Sequence, residues 1–261
     1  MPGPVQYVLF DMDGLMIDSE RIYSDVTNSI LAPYGKEQTW DIKAGCMGKP
    51  ERAAALHLLS FFPDIDLDLE TYLKERNRLQ DLAWPTVPLL PGTRKLVLHL
   101  KKHSIPIAIA TGSRRRNYEL KTRAEGAQPE KREVFEAFEE KVACGDDTQY
   151  GMRGKPNPDV FLVAAKELLG RNVGKLVGVD EEGSEYLTKE QLDERAKGLV
   201  FEDALPGMQA GKRAGMNVIW VPDPNLLDVE YTGKEKADQT LESLEDFRPE
   251  EWGLPPYDEL S

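Results

Sequence analysis

The stretch Val5-Gln6-Tyr7-Val8-Leu9-Phe10-Asp11-Met12-Asp13-Gly14 decides the fold. Residues 5–10 form a short β-branched and aromatic run that stops at an acid, the pattern of a buried strand. Four later runs repeat it. Residues 105–110 stop at Thr111-Gly112, and 142–144 stop at Gly145-Asp146-Asp147. Residues 199–201 stop at Glu202-Asp203, and 218–221 stop at Pro222-Asp223. Helical patterns at 92–103, 114–125, 157–169 and 206–214 lie between them. Strands alternating with helices predict an α/β fold with a parallel sheet and crossover helices. Continuous rather than alternating apolar strands predict helices on both faces.

The polar residues fall where such a sheet binds ligands. Asp11, Thr111 and Glu202-Asp203 each sit just past a strand's C-terminal end, so positions a hundred residues apart meet in one crevice. Residues 20–84 differ: three amphipathic helices are predicted at 20–32, 51–62 and 69–83, with no convincing strand. Pro85, Pro88 and Pro91-Gly92 then punctuate the return. The expected organisation is a core of 1–15 and 91–261 with a helical insertion at 16–90. Leu176–Val179 followed by Asp180-Glu181-Glu182 imitates a core strand. Leu199–Phe201 is preferred, because the helix after Pro206-Gly207 leads directly into the fifth run. Residues 170–198 are then an insertion loop carrying a short helix at 188–197.

Composition excludes several classes. The chain has 261 residues, two cysteines and a net charge of −13. This length suffices for one large domain or two smaller ones. No stretch approaches the 18 or so apolar residues of a membrane span. No basic n-region or apolar h-region begins the chain, so no secretory signal is expected. Cys46 and Cys144 are far apart and predict no disulfide framework, as in a reducing compartment. A cytoplasmic or nuclear location and a monomer are expected. A pI near 4.8 argues against binding nucleic acid or an anionic membrane. The acidity is local. Residues 180–194 hold seven acids and one base, and 223–261 hold twelve acids and three bases. The rest of the chain carries a net +2.

Asp11-Met12-Asp13-Gly14 offers two carboxylates on a loop, where both can face one crevice. One can attack as a nucleophile and the other can move a proton. Asp-x-Asp-Gly is also an ordinary turn sequence. Glu202-Asp203, with Asp11, makes a hard-oxygen site of the kind Mg²⁺ prefers, although an acid there also caps a helix. Thr111-Gly112-Ser113 precedes a helix and can cradle an anion. Arg114-Arg115-Arg116 reads as a solvated face. Lys155, in Gly154-Lys155-Pro156-Asn157-Pro158-Asp159, is either a surface lysine or a buried cation for the acids and a phosphate. His57, His99 and His103 are given no catalytic role, and Cys144 is read as a core residue.

Together these strings resemble the haloacid dehalogenase-like hydrolase superfamily. Asp11-Met12-Asp13-Gly14, Thr111-Gly112-Ser113, Lys155 and Phe201-Glu202-Asp203 with Gly207 match its four motifs in order. A closer likeness, to the pseudouridine-5'-phosphatase-like branch, covers nearly the whole chain. It rests on Val8–Glu20, Met47-Gly48-Lys49, Gly145-Asp146-Asp147, Phe201–Ala204, Val221–Asp223 and Phe247–Tyr257. The 170–198 insertion and the length of 126–140 depart from the branch. The resemblance implies a Rossmann-like core with a small inserted α-helical cap. It implies Asp11 as nucleophile, Asp13 as acid/base, and Thr111, Gly112, Ser113 and Lys155 around the phosphoryl group. Mg²⁺ would be held by Asp11, the Asp13 carbonyl, Asp203 and Glu202. Ser19, Glu20, Met47, Gly48 and Lys49 would read the leaving group. Ser19 could equally cap the helix at 20–32, and Gly48-Lys49 could be a turn. Asp13 favours phosphoryl chemistry, since a departing halide needs no proton. The expected activity is a Mg²⁺-dependent phosphatase for a nucleoside 5'-monophosphate or a sugar phosphate. A sugar phosphomutase and a non-catalytic interaction protein are the alternatives.

Overall fold

Tyr7, Val8, Leu9 and Phe10 have no solvent exposure at all, because helices cover both faces of the strand they form. In the computed structural model, which describes residues 4–46, 51–224 and 231–258, this is β1 (Tyr7–Phe10) of a six-stranded sheet. The others are β2 (Ile107–Ala110), β3 (Val142–Ala143), β4 (Gly198–Glu202), β5 (Asn217–Trp220) and β6 (Gln239–Thr240). The order is β3-β2-β1-β4-β5-β6 and every pairing is parallel. The pleat sorts the side chains into two cores. Val8, Phe10, Ile107, Ile109, Leu199 and Phe201 enter one; Tyr7, Leu9, Ala108, Ala110 and Val200 enter the other. Phe10 stacks on Phe201 at 5.1 Å, consistent with their pairing in register, and Phe247 meets Phe201 edge-on at 4.8 Å. The acidic tail therefore contributes Phe247, Trp252 and Leu254 to the first core.

After β1 the chain runs through α1 (Ser19–Leu31), α2 (Trp40–Cys46), α3 (Glu51–Ser60) and α4 (Leu69–Ala83). These helices pack around Val26, Ile30, Leu31, Ile42, Ala55, Leu58 and Tyr72, a cluster separate from the sheet cores. The crossover helices are α5 (Thr93–Lys102), α6 (Arg115–Thr122), α7 (Pro129–Glu136), α8 (Asp159–Val163) and α10 (Leu205–Arg213). The two strands of chain joining the helical module to the sheet lie side by side, with Asp18 N donating to Pro88 O and Leu90 N to Met16 O. Buried Lys131 on α7 donates to Pro85 O and Val87 O, both at 2.8 Å, pinning the return.

Three elements differ from the sequence expectation. α2, α7 and β6 are present although no pattern was read there. α7 starts at Pro129 and buries Val134 and Phe135, the period of a short amphipathic helix. The helix at 157–169 is α8 continued by a π turn at Ala164–Leu168.

Residues 170–188 run through loop and short turns into α9 (Lys189–Arg195), started by a capping box of Thr188 and Gln191. Leu176–Val179 stays outside the sheet, as expected. Fully buried Arg195 organises this loop. Its guanidinium donates to the carbonyls of Val173 (2.7 Å), Val177 (2.8 Å) and Lys175 (2.7 Å). Several of its acids are paired: Glu181 with Arg153, Asp180 with Lys234, and Glu194 with Arg171. Arg195→Met leaves buried carbonyls without donors, and a loss of about 3 kcal/mol in unfolding free energy is expected. Amide exchange should accelerate first at 173–187. Unchanged exchange there would remove this role from Arg195.

Candidate active site

The parallel order brings the C-terminal ends of β1, β2 and β4 to one edge. Asp11 follows β1, Thr111 follows β2, and Glu202 ends β4 with Asp203 next to it. Asp11 N donates to Phe201 O at 3.0 Å, which locks the nucleophile-candidate loop to the neighbouring strand. Lys155 arrives from the loop before α8. Its ammonium donates to Asp11 Oδ1 and to Glu202 Oε1, the latter at 2.5 Å. Asp11 and Glu202 are buried. Two glycines are required here. A Cβ on Gly14, which has φ +76°, would collide with the Asp203 carboxylate, and one on Gly207 would collide with that of Glu202.

The electrostatics show a shortage of positive charge. Burial pushes the Asp11 carboxyl up to about 7; Glu202 and Asp13 push the same way, while Lys155 opposes them. Burial, then Glu202 and Asp11, raises Asp203 well above the carboxylate range. Burial alone would lower Lys155, but Asp11 and Glu202 more than offset it and hold its ammonium above the lysine range. Asp11, Glu202 and Asp203 each offer an oxygen, all within 4.8 Å of one another. An all-oxygen set that one lysine leaves under-compensated fits a hard divalent cation such as Mg²⁺.

Asp13 faces a different environment. Its Oδ2 accepts from Ser113 Oγ at 2.5 Å and its Oδ1 from Lys121 Nζ at 2.6 Å. Burial alone would raise this carboxyl, but Lys121, then Ser113, holds it below the usual range. Thr111 is buried and its Oγ1 accepts from Ser113 N at 3.0 Å, so the loop before α6 is shaped by its own hydroxyl. Gly112 is exposed at the mouth.

From the helical module, fully buried Ser19 lies beside Asp13, and Glu20 is close enough to raise Asp203. The residue capping α1 is Asp18, which accepts from Arg21 N, and Ser19 is the first helical residue. Met47, Gly48 and Lys49 lie outside the described residues. Lys43 was not anticipated; it pairs with Glu20 at 3.2 Å and donates to Ser24 Oγ at 3.0 Å. The arginine run is more than a solvated face. Exposed Arg116 forks onto Asp81 of α4 at 2.8 and 2.7 Å, and Arg115 holds Asp147 and Val142 O. His99 on α5 is buried, its ring Nε2 2.9 Å from Pro255 O. Cys144 is fully buried, and burial pushes its thiol up to about 12.

A family model described as haloacid dehalogenase-like hydrolase matches residues 5–215. The chain is 41% identical over 259 residues to (DL)-glycerol-3-phosphatase 2 of Arabidopsis thaliana, covering 98% of this chain and 95% of that one. It is 36% identical over 253 residues to "Probable pseudouridine-5'-phosphatase" of Drosophila melanogaster, covering 97% and 96%. In fold it is similar to a HAD family hydrolase from Deinococcus radiodurans R1 solved with bound phosphate and sodium. The TM-score is 0.70 at 24% identity, covering 97% of this chain and 99% of that one. The chain belongs to the haloacid dehalogenase-like hydrolase family, as one of its phosphatases.

Proposed function

We propose that the chain hydrolyses small alkyl phosphate monoesters with Mg²⁺, through a phosphoryl group carried on Asp11. The observation that carries this is the convergence of Asp11, Glu202, Asp203 and Lys155 at one sheet edge, with Asp13 two residues along. Mg²⁺ at Asp11, Glu202, Asp203 and the Asp13 carbonyl would offset the negative charge of acids and phosphate. It would also bring Asp11 back into its ionised, nucleophilic form.

In the first step an Asp11 oxygen bonds to phosphorus while the bond from phosphorus to the leaving oxygen breaks. Asp13, which the negative charge of the arriving phosphate favours in its protonated form, passes a proton to that oxygen. In the second step water attacks the same phosphorus, its proton goes to Asp13, and the bond to Asp11 breaks to release phosphate. Lys155, Thr111 and the Gly112 amide hold the phosphoryl oxygens, while the Ser113 amide and hydroxyl stay on Thr111 and Asp13. Residues 16–90 act as the cap, with Ser19 and Glu20 on the leaving-group side and Lys43 steadying Glu20.

The relatives are named for glycerol 3-phosphate and pseudouridine 5'-phosphate. A primary alkyl phosphate bearing further hydroxyls is the common chemistry, and we assign that class here. The test is phosphate release from a panel of such esters, ranked by kcat/KM. Activity should vanish with EDTA and return with Mg²⁺. A panel with no turnover under Mg²⁺ would refute the assignment.

Asp13→Asn separates the two carboxylates. An alkoxide leaves poorly without a proton, whereas p-nitrophenolate leaves unaided. Turnover of an alkyl phosphate should fall on the order of 10²–10⁴-fold, with a much smaller first-step loss on p-nitrophenyl phosphate. Equal first-step losses on both esters would take the acid role from Asp13.

A further inference from the structure

Lys121 lies in Glu119-Leu120-Lys121-Thr122 on α6. A lysine on a crossover helix is ordinarily solvated, yet this one has no solvent exposure. Its ammonium is 2.6 Å from Asp13 Oδ1, 3.3 Å from Ser113 Oγ and 3.4 Å from Tyr23 OH. It also stands 4.3 Å from the Trp84 ring centroid and 5.5 Å from that of Tyr23. The two rings meet edge-on at 5.1 Å.

A buried cation is costly without a partner, and Asp13 is its one carboxylate partner among the described residues. The arrangement is a fork. Ser113, just ahead of α6, takes one oxygen of Asp13, and Lys121, two turns later, takes the other. Both donors sit on one helix and its lead-in, so the plane of the carboxyl is tied to α6. The opposite wall of the lysine is not from the sheet: Tyr23 is on α1, and Trp84 follows α4. A cation between aromatic faces is stabilised only while the rings are there. Proton transfer to a leaving oxygen needs contact at roughly 2.6–3.2 Å, so a carboxyl free to rotate loses much of its use.

We propose that Lys121 is a positioning residue for Asp13, steadied by Tyr23 and Trp84, so that this carboxyl is aligned only when the helical module is seated on the sheet. This rests on Asp13 serving as the acid/base of the phosphatase.

The test compares glycerol 3-phosphate with p-nitrophenyl phosphate in Lys121→Met, Lys121→Arg and Tyr23→Phe. Wild type and Asp11→Asn run alongside. In Lys121→Met, kcat on glycerol 3-phosphate should fall on the order of 10²-fold, as for a misplaced catalytic group. The first-step loss on p-nitrophenyl phosphate, read from the pre-steady-state burst of p-nitrophenolate, should be at least about tenfold smaller, because that leaving group needs no proton. KM should change little for either ester. Lys121→Arg should recover part of the selective loss. Tyr23→Phe, which keeps the ring and removes only the hydroxyl, should show a few-fold loss with the same selectivity. If Lys121→Met does not fold, the other two variants decide by the same criterion.

Equal first-step losses on both esters would reduce Lys121 to a packing role and overturn the proposal, as would full turnover of glycerol 3-phosphate in Lys121→Met. A wild type inactive on both esters, or an active Asp11→Asn, would bring down the phosphatase mechanism itself. An active wild type, a dead Asp11→Asn and an unselective Lys121→Met would sink the positioning role alone.

Discussion

Asp11→Asn is expected to abolish phosphate release from every ester, activated or not. The amide matches the carboxylate in shape but cannot accept a phosphoryl group as an anionic nucleophile. The fall in kcat should be on the order of 10⁴–10⁶-fold, the scale seen when a nucleophile is removed. The loss should not depend on the leaving group, because bond formation to Asp11 precedes any use of Asp13. This separates the variant from Asp13→Asn, whose first-step loss is selective for alkyl phosphates. Binding of inorganic phosphate should persist or tighten, since one charge of the buried carboxylate cluster at Asp11, Glu202 and Asp203 is gone. The measurements are initial rates of phosphate release and a phosphate titration. Turnover within about tenfold of wild type would remove Asp11 from the nucleophile's role.

Lys155→Met should be the most damaging of these changes for stability, and it should lower activity as well. The ammonium is the cation that contacts Asp11 and Glu202 together, and its side chain is only 14% exposed. Removing one partner of a buried ion pair strands the other, at a cost of about 3–5 kcal/mol. Here two carboxylates are stranded, next to a third at Asp203. Mg²⁺ should then recover part of the loss, since a ligand present at 100 times its dissociation constant stabilises by about 2.7 kcal/mol. The thermal shift on adding Mg²⁺ should be larger in the variant than in wild type, because the divalent ion becomes the main compensating charge. A variant as stable as wild type in EDTA would take the buried ion-pair role from Lys155, and no Mg²⁺ shift in either protein would show that these carboxylates are not a cation site.

What was legible along the chain has a common physical origin. A parallel strand covered on both faces must be apolar throughout, and it must stop being apolar where it leaves the core. The runs ending at Asp11, Thr111 and Glu202 therefore announced both the sheet and its polar edge. Gly14 and Gly207 were visible as motif letters, but their reason was not. Each makes room for a carboxylate that comes from elsewhere: Asp203 beside Gly14, and Glu202 across from Gly207. The choice between 176–179 and 199–201 was open to connection logic, because only the second leads through α10 into β5 without a detour.

The misses share a cause too. α7 is eight residues long and α2 seven, too short for periodicity to stand out from a charged background. Only Pro129 marked the start of α7. β6 has two residues and exists because β5 offers an open edge. Neither Arg195 nor Lys121 is singled out in the sequence, since a cation carries the same letter whether it meets water or buried oxygens. For Lys121 a signal was present. Tyr118, Lys121 and Thr122 are spaced as one helical face, and that face is the buried one.

The sequence by itself determined the α/β alternation, the strand ends, and the residue types needed for phosphoryl transfer, because these depend on local runs and nearby spacing. Only the tertiary structure decided which cations serve which acids. Lys155 goes to Asp11 and Glu202 across 144 and 47 positions, and Lys121 goes to Asp13 across 108. Those pairings follow from strand order and helix rotation, which are set when two cores close on the sheet and a third closes among the inserted helices. Charges so far apart in the chain acquire a shared, water-poor environment only once that packing is complete.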